Sequence, residues 1–132
     1  MVKILYLEDE QDLVDLLPML LKGKGLEVFA TTSIEEALER FTEEKFDAVL
    51  LDIMMQPADD MDAEKLDYGR KTGIEVARRM MALKPEIPIV AFTVMTDEKI
   101  MDEIRRAKVM HIIHKPSELD QIVVTLAQVT KK

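Results

Sequence analysis

The sequence predicts an α/β protein: a parallel β-sheet with helices packed on both faces. Three observations carry this. Short apolar runs and amphipathic stretches alternate five times along 132 residues, the pattern of repeated strand–helix units. The apolar runs are nearly continuous rather than alternating, as in strands buried on both faces. Each amphipathic stretch between two runs is long enough to carry the chain back to the start of a parallel neighbour.

The elements follow in order. "VKILYL" (2–7) is the first strand. Leu13, Leu16, Leu17, Leu20 and Leu21 then recur at intervals of three and four, a helix that stops at "KGKG" (22–25) and that Pro18 is expected to kink. "LEVFA" (26–30) mixes polar and apolar residues and reads as an edge strand. "SIEEALERF" (33–41) opens a helix with Ser33 and Glu36 spaced as a capping box. "DAVLLD" (47–52) is the third strand, and "IPIVAFT" (87–93) and "MHIIH" (110–114) are the fourth and fifth. The first, third and fourth read as central. "GIEVARRMMALKP" and "DEKIMDEIRRAK" are amphipathic helices, and "SELDQIVVTLAQV" closes the chain with Ser117 and Asp120 as a second capping pair. Ile100, Ile104 and Val124 on these last helices are expected mostly in the core. Residues 54–72, "MMQPADDMDAEKLDYGRKT", fit no such unit. Loops of this kind usually run about 2–6 residues, so the stretch reads as a surface insertion, with room for a helical turn around "DAEKLDYG".

Composition narrows the function. A length of 132 residues suits one domain, 1–132, with no room for an output domain. The net charge of −8 argues against nucleic-acid binding and suits metal cations and basic partner surfaces. There is no cysteine, which removes disulfides and thiolate chemistry. No apolar run is long enough to span a membrane, and "MVKILYLEDE" reads as a strand rather than a leader. The expected compartment is the cytoplasm.

Chemistry gathers at the strand ends. In a parallel α/β sheet, ligands bind beyond the carboxyl ends of the strands. The first strand ends in Glu8 and Asp9, the third in Asp52, the fourth in Thr93 and the fifth in Lys115 followed by Pro116. Clustered carboxylates repel one another, and a divalent cation relieves that. Magnesium prefers oxygen ligands and often partners phosphate, so Glu8, Asp9, Asp52 and a backbone carbonyl after Asp52 form a candidate Mg2+ site. Lys115 can hold a phosphoryl oxygen as a point charge and Thr93 can donate a hydrogen bond to another. This is equipment for phosphoryl transfer, in which a carboxylate can itself be the nucleophile. Asp52 is the candidate; the competing explanation is a plain helix-capping aspartate.

At "ILYLEDE", "AVLLDIMM", "PIVAFT" and "HKP" the chain resembles the receiver domain of two-component response regulators, single-domain and CheY-like. The resemblance covers nearly the whole chain. It implies a flavodoxin-like, doubly wound five-stranded sheet ordered 2-1-3-4-5. It implies an aspartyl phosphate at Asp52, received from a histidine kinase, a phosphotransfer protein or a small acyl phosphate. Asp9 and Asp52 would bind Mg2+ directly, Glu8 through water, and Met54 through its backbone carbonyl. Thr93 and Lys115 would hold the phosphoryl oxygens, and the Lys115–Pro116 bond would be cis. The partners implied are a sensor histidine kinase and a downstream protein target, with a homodimer possible. The protein would not be an enzyme beyond its own phosphorylation and slow self-dephosphorylation.

The chain departs from the family's pattern in three places. The proline and glycine that usually follow the phosphorylated aspartate are represented by Pro57, inside the insertion, and Gly73. An aromatic residue is common three positions before the lysine; here it is Ile112, between His111 and His114, both read as ordinary polar residues. Met54 and Met95 occupy the positions that tune phosphoryl lifetime, and methionine cannot orient an attacking water. These departures keep open a degenerate receiver that acts as a phosphate-independent interaction module. A haloacid-dehalogenase-like phosphatase would need an acid at Met54.

Overall fold

The computed structural model describes residues 1–131. Its elements are β1 (Val2–Leu7), α1 (Gln11–Lys22), β2 (Leu26–Thr31), α2 (Ile34–Glu43), β3 (Ala48–Leu51), α3 (Thr72–Leu83), β4 (Ile89–Thr93), α4 (Glu98–Arg106), β5 (His111–His114) and α5 (Leu119–Thr130). The strands form one parallel sheet in the order β2-β1-β3-β4-β5. This is the flavodoxin-like topology expected, with β2 and β5 at the edges.

Strand side chains alternate between the two faces, and each face has its own core. Leu5, Leu7, Val49, Leu51, Ile89 and Ala91 point to one side and pack with Ala37 and Phe41 of α2, Ala77 and Met80 of α3 and Ile104 of α4. Ile4, Tyr6, Leu50, Val90 and Phe92 point to the other, against Leu17 and Leu21 of α1 and Ile122 and Leu126 of α5. β3 is buried at all four positions, which explains its unbroken apolar sequence.

Register sets the site. Leu7 of β1 stands opposite Leu51 of β3, so Glu8 and Asp52, the next residues, leave the sheet side by side. Thr93 of β4 pairs with His114 of β5, which brings Lys115 to the same edge.

Several expectations are corrected. α1 runs unbroken through Pro18, and of its five periodic leucines only Leu17 and Leu21 are buried, while Leu16 and Leu20 face outward. Five leucines make a stripe wider than this helix's contact with the sheet. α2 is capped as read: the Ser33 hydroxyl accepts from the Glu36 N–H at 3.1 Å. α5 is not. Its N-cap is Glu118 without a side-chain bond, and the Ser117 hydroxyl turns instead to the Glu118 carbonyl at 3.4 Å. Ile100 and Ile104 are core residues, but Val124 is exposed.

The connection from β3 to α3 spans 52–71. It holds one 3-10 turn, Asp67–Gly69, led by a cap-like turn in which Asp62 accepts from the Glu64 and Lys65 amides. Arg79 of α3 pairs with Asp60 at 2.9 Å, and Lys71 pairs with Glu103 of α4 at 3.0 Å. The middle and the last residue of the connection are thus tied to α3 and α4.

Candidate functional site

Asp52 follows the last residue of β3, and its backbone N–H still donates to the Leu7 carbonyl at 2.9 Å. The residue is 4 % exposed, and two facts about its surroundings hold it in place. The Asp9 N–H lies 3.4 Å from its Oδ2. On the other side α3 begins almost in contact with it: the Gly73 N–H donates to the Ile53 carbonyl at 2.8 Å. A Cβ at Gly73 would collide with the Asp52 carbonyl oxygen and lie 2.5 Å from the Ile53 Cα. Glycine is needed here for close approach of backbones, consistent with Gly73 standing for the glycine expected after the aspartate.

Glu8 is fully buried. Its Oε1 accepts from the Tyr6 hydroxyl at 2.8 Å and lies 2.7 Å from Lys115 Nζ, and its Oε2 accepts from the Glu10 N–H at 3.2 Å. Lys115 Nζ is 3.7 Å from Asp52 Oδ2 and 5.1 Å from the ring centre of Phe92. The Lys115 N–H donates to the Thr93 carbonyl at 2.9 Å, and the Lys115–Pro116 peptide is cis. Thr93 is fully buried, and its hydroxyl accepts from the Met95 N–H at 3.1 Å. Asp9 is exposed at the rim.

The electrostatics follow from two buried carboxyls sharing one lysine. Burial, then the hydrogen bond and charge of Glu8, push Asp52 up to about 7, against the opposing pull of Lys115. Burial raises Glu8 as well, but hydrogen bonds from Asp52, Lys115 and Tyr6 outweigh it and hold Glu8 below its ordinary value. Lys115 is closer to Glu8 than to Asp52, so its charge favours the ionised form of Glu8 more than that of Asp52. Burial and the neighbouring Glu8 raise the Tyr6 phenol, which stays a donor.

Asp9, Asp52 and Met54 line one open cleft of about 550 Å³, together with Lys115 and residues of the 52–71 connection. Their oxygens are the hard donors a magnesium-sized cation takes, and the buried negative charge that lifts Asp52 is what a dication would relieve. Among the described residues, no three acidic or imidazole side chains are gathered into a ready-made ligand cluster. Glu8 is turned into the sheet by Tyr6 and Lys115, while Asp9 stands outside it. Met54 is half-buried in the cleft wall, whereas Met95 is buried in the core and does not line the cleft; its neighbour Val94 does. His111 and His114 are exposed on the edge strand, and Ile112 packs against the core.

Two contributors were not singled out in the sequence. Tyr6 lies two residues before Glu8, hence on the same strand face, a spacing that could have revealed it. Arg70 reaches the cleft from the connection, which strand and helix periodicity does not describe.

Comparison with known proteins places this geometry. The sequence model of the response regulator receiver domain family matches residues 4–127. The transcriptional regulatory protein ZraR of Escherichia coli (strain K12) is 28 % identical over 125 residues, covering 95 % of this chain and 25 % of ZraR. The alkaline phosphatase synthesis transcriptional regulatory protein PhoP of Bacillus subtilis (strain 168) is 34 % identical over 96 residues, 73 % of this chain and 35 % of PhoP. The chain thus spans about a quarter to a third of the length of these relatives. In structure it is similar to a CheY-like receiver domain protein from Methanospirillum hungatei JF-1. The TM-score is 0.83 at 19 % identity, over 98 % of this chain and 94 % of that one. It is also similar to TrrA of Thermotoga maritima, solved in complex with Mg(2+)-BeF. There the TM-score is 0.78 at 26 % identity, over 98 % and 99 % of the two chains.

Proposed function

The chain belongs to the response regulator receiver domain family, and on that premise we propose that Asp52 is its phosphoacceptor. The observation that carries this is the convergence of a buried Asp52 with Lys115 and Asp9 at one cleft. Ionised Asp52 attacks the phosphorus of a phosphohistidine or a small acyl phosphate. A P–O bond to Asp52 forms as the donor's bond to phosphorus breaks, and the electron pair leaves with the donor. Lys115 pairs with a phosphoryl oxygen, and Thr93 leaves the Met95 amide to donate to another. Asp9, Asp52 and the Met54 carbonyl would hold Mg2+, which would supply positive charge to the carboxylates and phosphoryl oxygens. Glu8 anchors Lys115, and its inward turn takes it out of the cleft and away from the water-mediated cation role that the resemblance implies. Asp52 must lose its proton before it attacks, so cation binding and phosphorylation both favour higher pH.

On this reading residues 1–132 act as one receiver unit that catalyses only its own phosphorylation. The partners are a sensor histidine kinase or phosphotransfer protein and a downstream protein target, met in the cytoplasm. No helix among the described residues is long and apolar enough to cross a membrane. Met54 and Met95 offer no group to orient water, which gives a slow self-dephosphorylation.

The test is intact mass after incubation with a small acyl phosphate. One added phosphoryl group that requires both Mg2+ and Asp52, and is absent from Asp52→Asn, is expected. No adduct, with Mg2+ still bound, would favour the phosphate-independent interaction module, for which Ile112 in place of an aromatic residue is the supporting observation.

A further inference from the structure

Two features remain outside phosphoryl transfer as described: the long 52–71 connection and Ile112. The structure brings the first of them to the site. Pro57, Tyr68 and Arg70 of the connection form one wall of the cleft whose other wall holds Asp9, Asp52 and Lys115. Asp67 and Tyr68 turn the chain there with φ of 51° and 50°, a left-handed conformation that non-glycine residues seldom adopt. Gly69 follows at φ 105°, and a Cβ on it would lie 2.9 Å from the Met55 carbonyl oxygen. Its carbonyl accepts from the Met55 N–H at 3.1 Å. The backbone of Arg70 is therefore fixed against the chain just past Asp52.

The arginine's partners point in two directions. One guanidinium nitrogen is 2.8 Å from Asp67 Oδ2; the other is 4.0 Å from Asp97 Oδ2 and 3.9 Å from the Met95 sulfur. Asp97 is the N-cap of α4, accepting from the Lys99 and Ile100 amides. Met95 is the residue whose N–H holds the Thr93 hydroxyl. Arg70 thus stands between the Asp52 cleft, the Thr93 loop and the start of α4.

We propose that Arg70 is a second cation for the phosphoryl group on Asp52, and that its transfer from Asp97 to the phosphoryl oxygens reports phosphorylation to α4. This rests on the reading of Asp52 as phosphoacceptor. Arg70 and both its acidic partners are roughly half exposed, and such pairs are weak. A phosphoryl group offers about two negative charges and three acceptor oxygens, and it matches the guanidinium fork in a way a single carboxylate at 4.0 Å does not. Lys115 and Thr93 each take one phosphoryl oxygen, and the remaining lone pairs of the three oxygens leave acceptor sites for another donor. The device needs no aromatic side chain to swing inward, so it suits a chain with Ile112 at that position.

The test is the affinity of the Mg2+-dependent beryllofluoride complex, an aspartyl phosphate mimic, read by 19F NMR. Amide exchange across 98–106 is followed in parallel. Three proteins are compared: wild type, Arg70→Ala and Asp97→Asn. Arg70→Ala is expected to weaken the complex about tenfold and to abolish the exchange change in α4. Asp97→Asn keeps a capping side chain but removes the charge on the α4 side of Arg70, leaving only the Asp67 pair, and is expected to tighten the complex. The double variant should match Arg70→Ala. Equal affinity for wild type and Arg70→Ala, or weakening by both single variants, overturns the role of Arg70 alone. A wild-type protein that binds no beryllofluoride and gains no phosphoryl mass overturns the Asp52 reading together with it.

Discussion

Asp52 is placed where a carboxylate is unstable. It is buried, it faces Glu8, and the nearest lysine lies 2.7 Å from Glu8 but 3.7 Å from Asp52. Its folded value of about 7 lies above the 3.8 of an ordinary aspartate. A raised acid binds its proton more tightly in the folded state. The stability this contributes is complete below the ordinary value and is lost as pH rises through about 7. The stability gap between Asp52→Asn and wild type should therefore widen from about pH 5 to pH 8, by one to a few kcal/mol, in metal-free buffer. Magnesium should narrow it. Thermal melts at the two pH values check this; a gap independent of pH would show that Asp52 is ionised throughout. Gly73 gives a second residue-scale prediction. Gly73→Ala forces a Cβ into the Asp52 carbonyl and should cost about 2 kcal/mol or more, measured by urea unfolding. Of the site residues, Asp9, Asp52, Thr93 and Lys115 were legible as strand-ending polar groups. The inward turn of Glu8 was not, because it depends on which neighbour reaches Lys115 first.

At the scale of elements, sequence signals succeeded where a local bond decides and failed where tertiary packing does. Both Ser33 and Ser117 precede apolar helices with an acid three residues on. Ser33 caps α2, while Ser117 follows Pro116 and lies one residue before the α5 N-cap, Glu118. Ser33→Ala should cost about 1 kcal/mol and Ser117→Ala almost nothing, by the same unfolding measurement; equal effects would contradict the assigned caps. The five strands were placed to within a residue or two, because apolar runs between helices are a strong signal. Within 52–71 the helical turn was anticipated, but the arginine it delivers to the cleft was not. That position depends on two consecutive left-handed residues and on Gly69 seated against Met55, and neither has a periodic signature.

The whole molecule makes the site by register. Strand order 2-1-3-4-5 puts β1 and β3 at the centre, and the pairing of Leu7 with Leu51 sets Glu8 and Asp52 abreast. Two cores of different composition hold the sheet from either face and fix the positions from which Glu8, Asp52, Thr93 and Lys115 leave the sheet. This architecture was readable in advance, since alternating elements and short connections leave few topologies. On the proposed function, this edge serves to phosphorylate one residue, Asp52. The most direct measurement is to treat the protein with an acyl phosphate and Mg2+, reduce it with borohydride, and sequence the peptides by mass spectrometry. An aspartyl phosphate is converted to homoserine, so homoserine is expected at position 52 and nowhere else. Homoserine at another aspartate, or at none, would overturn Asp52 as the phosphoacceptor.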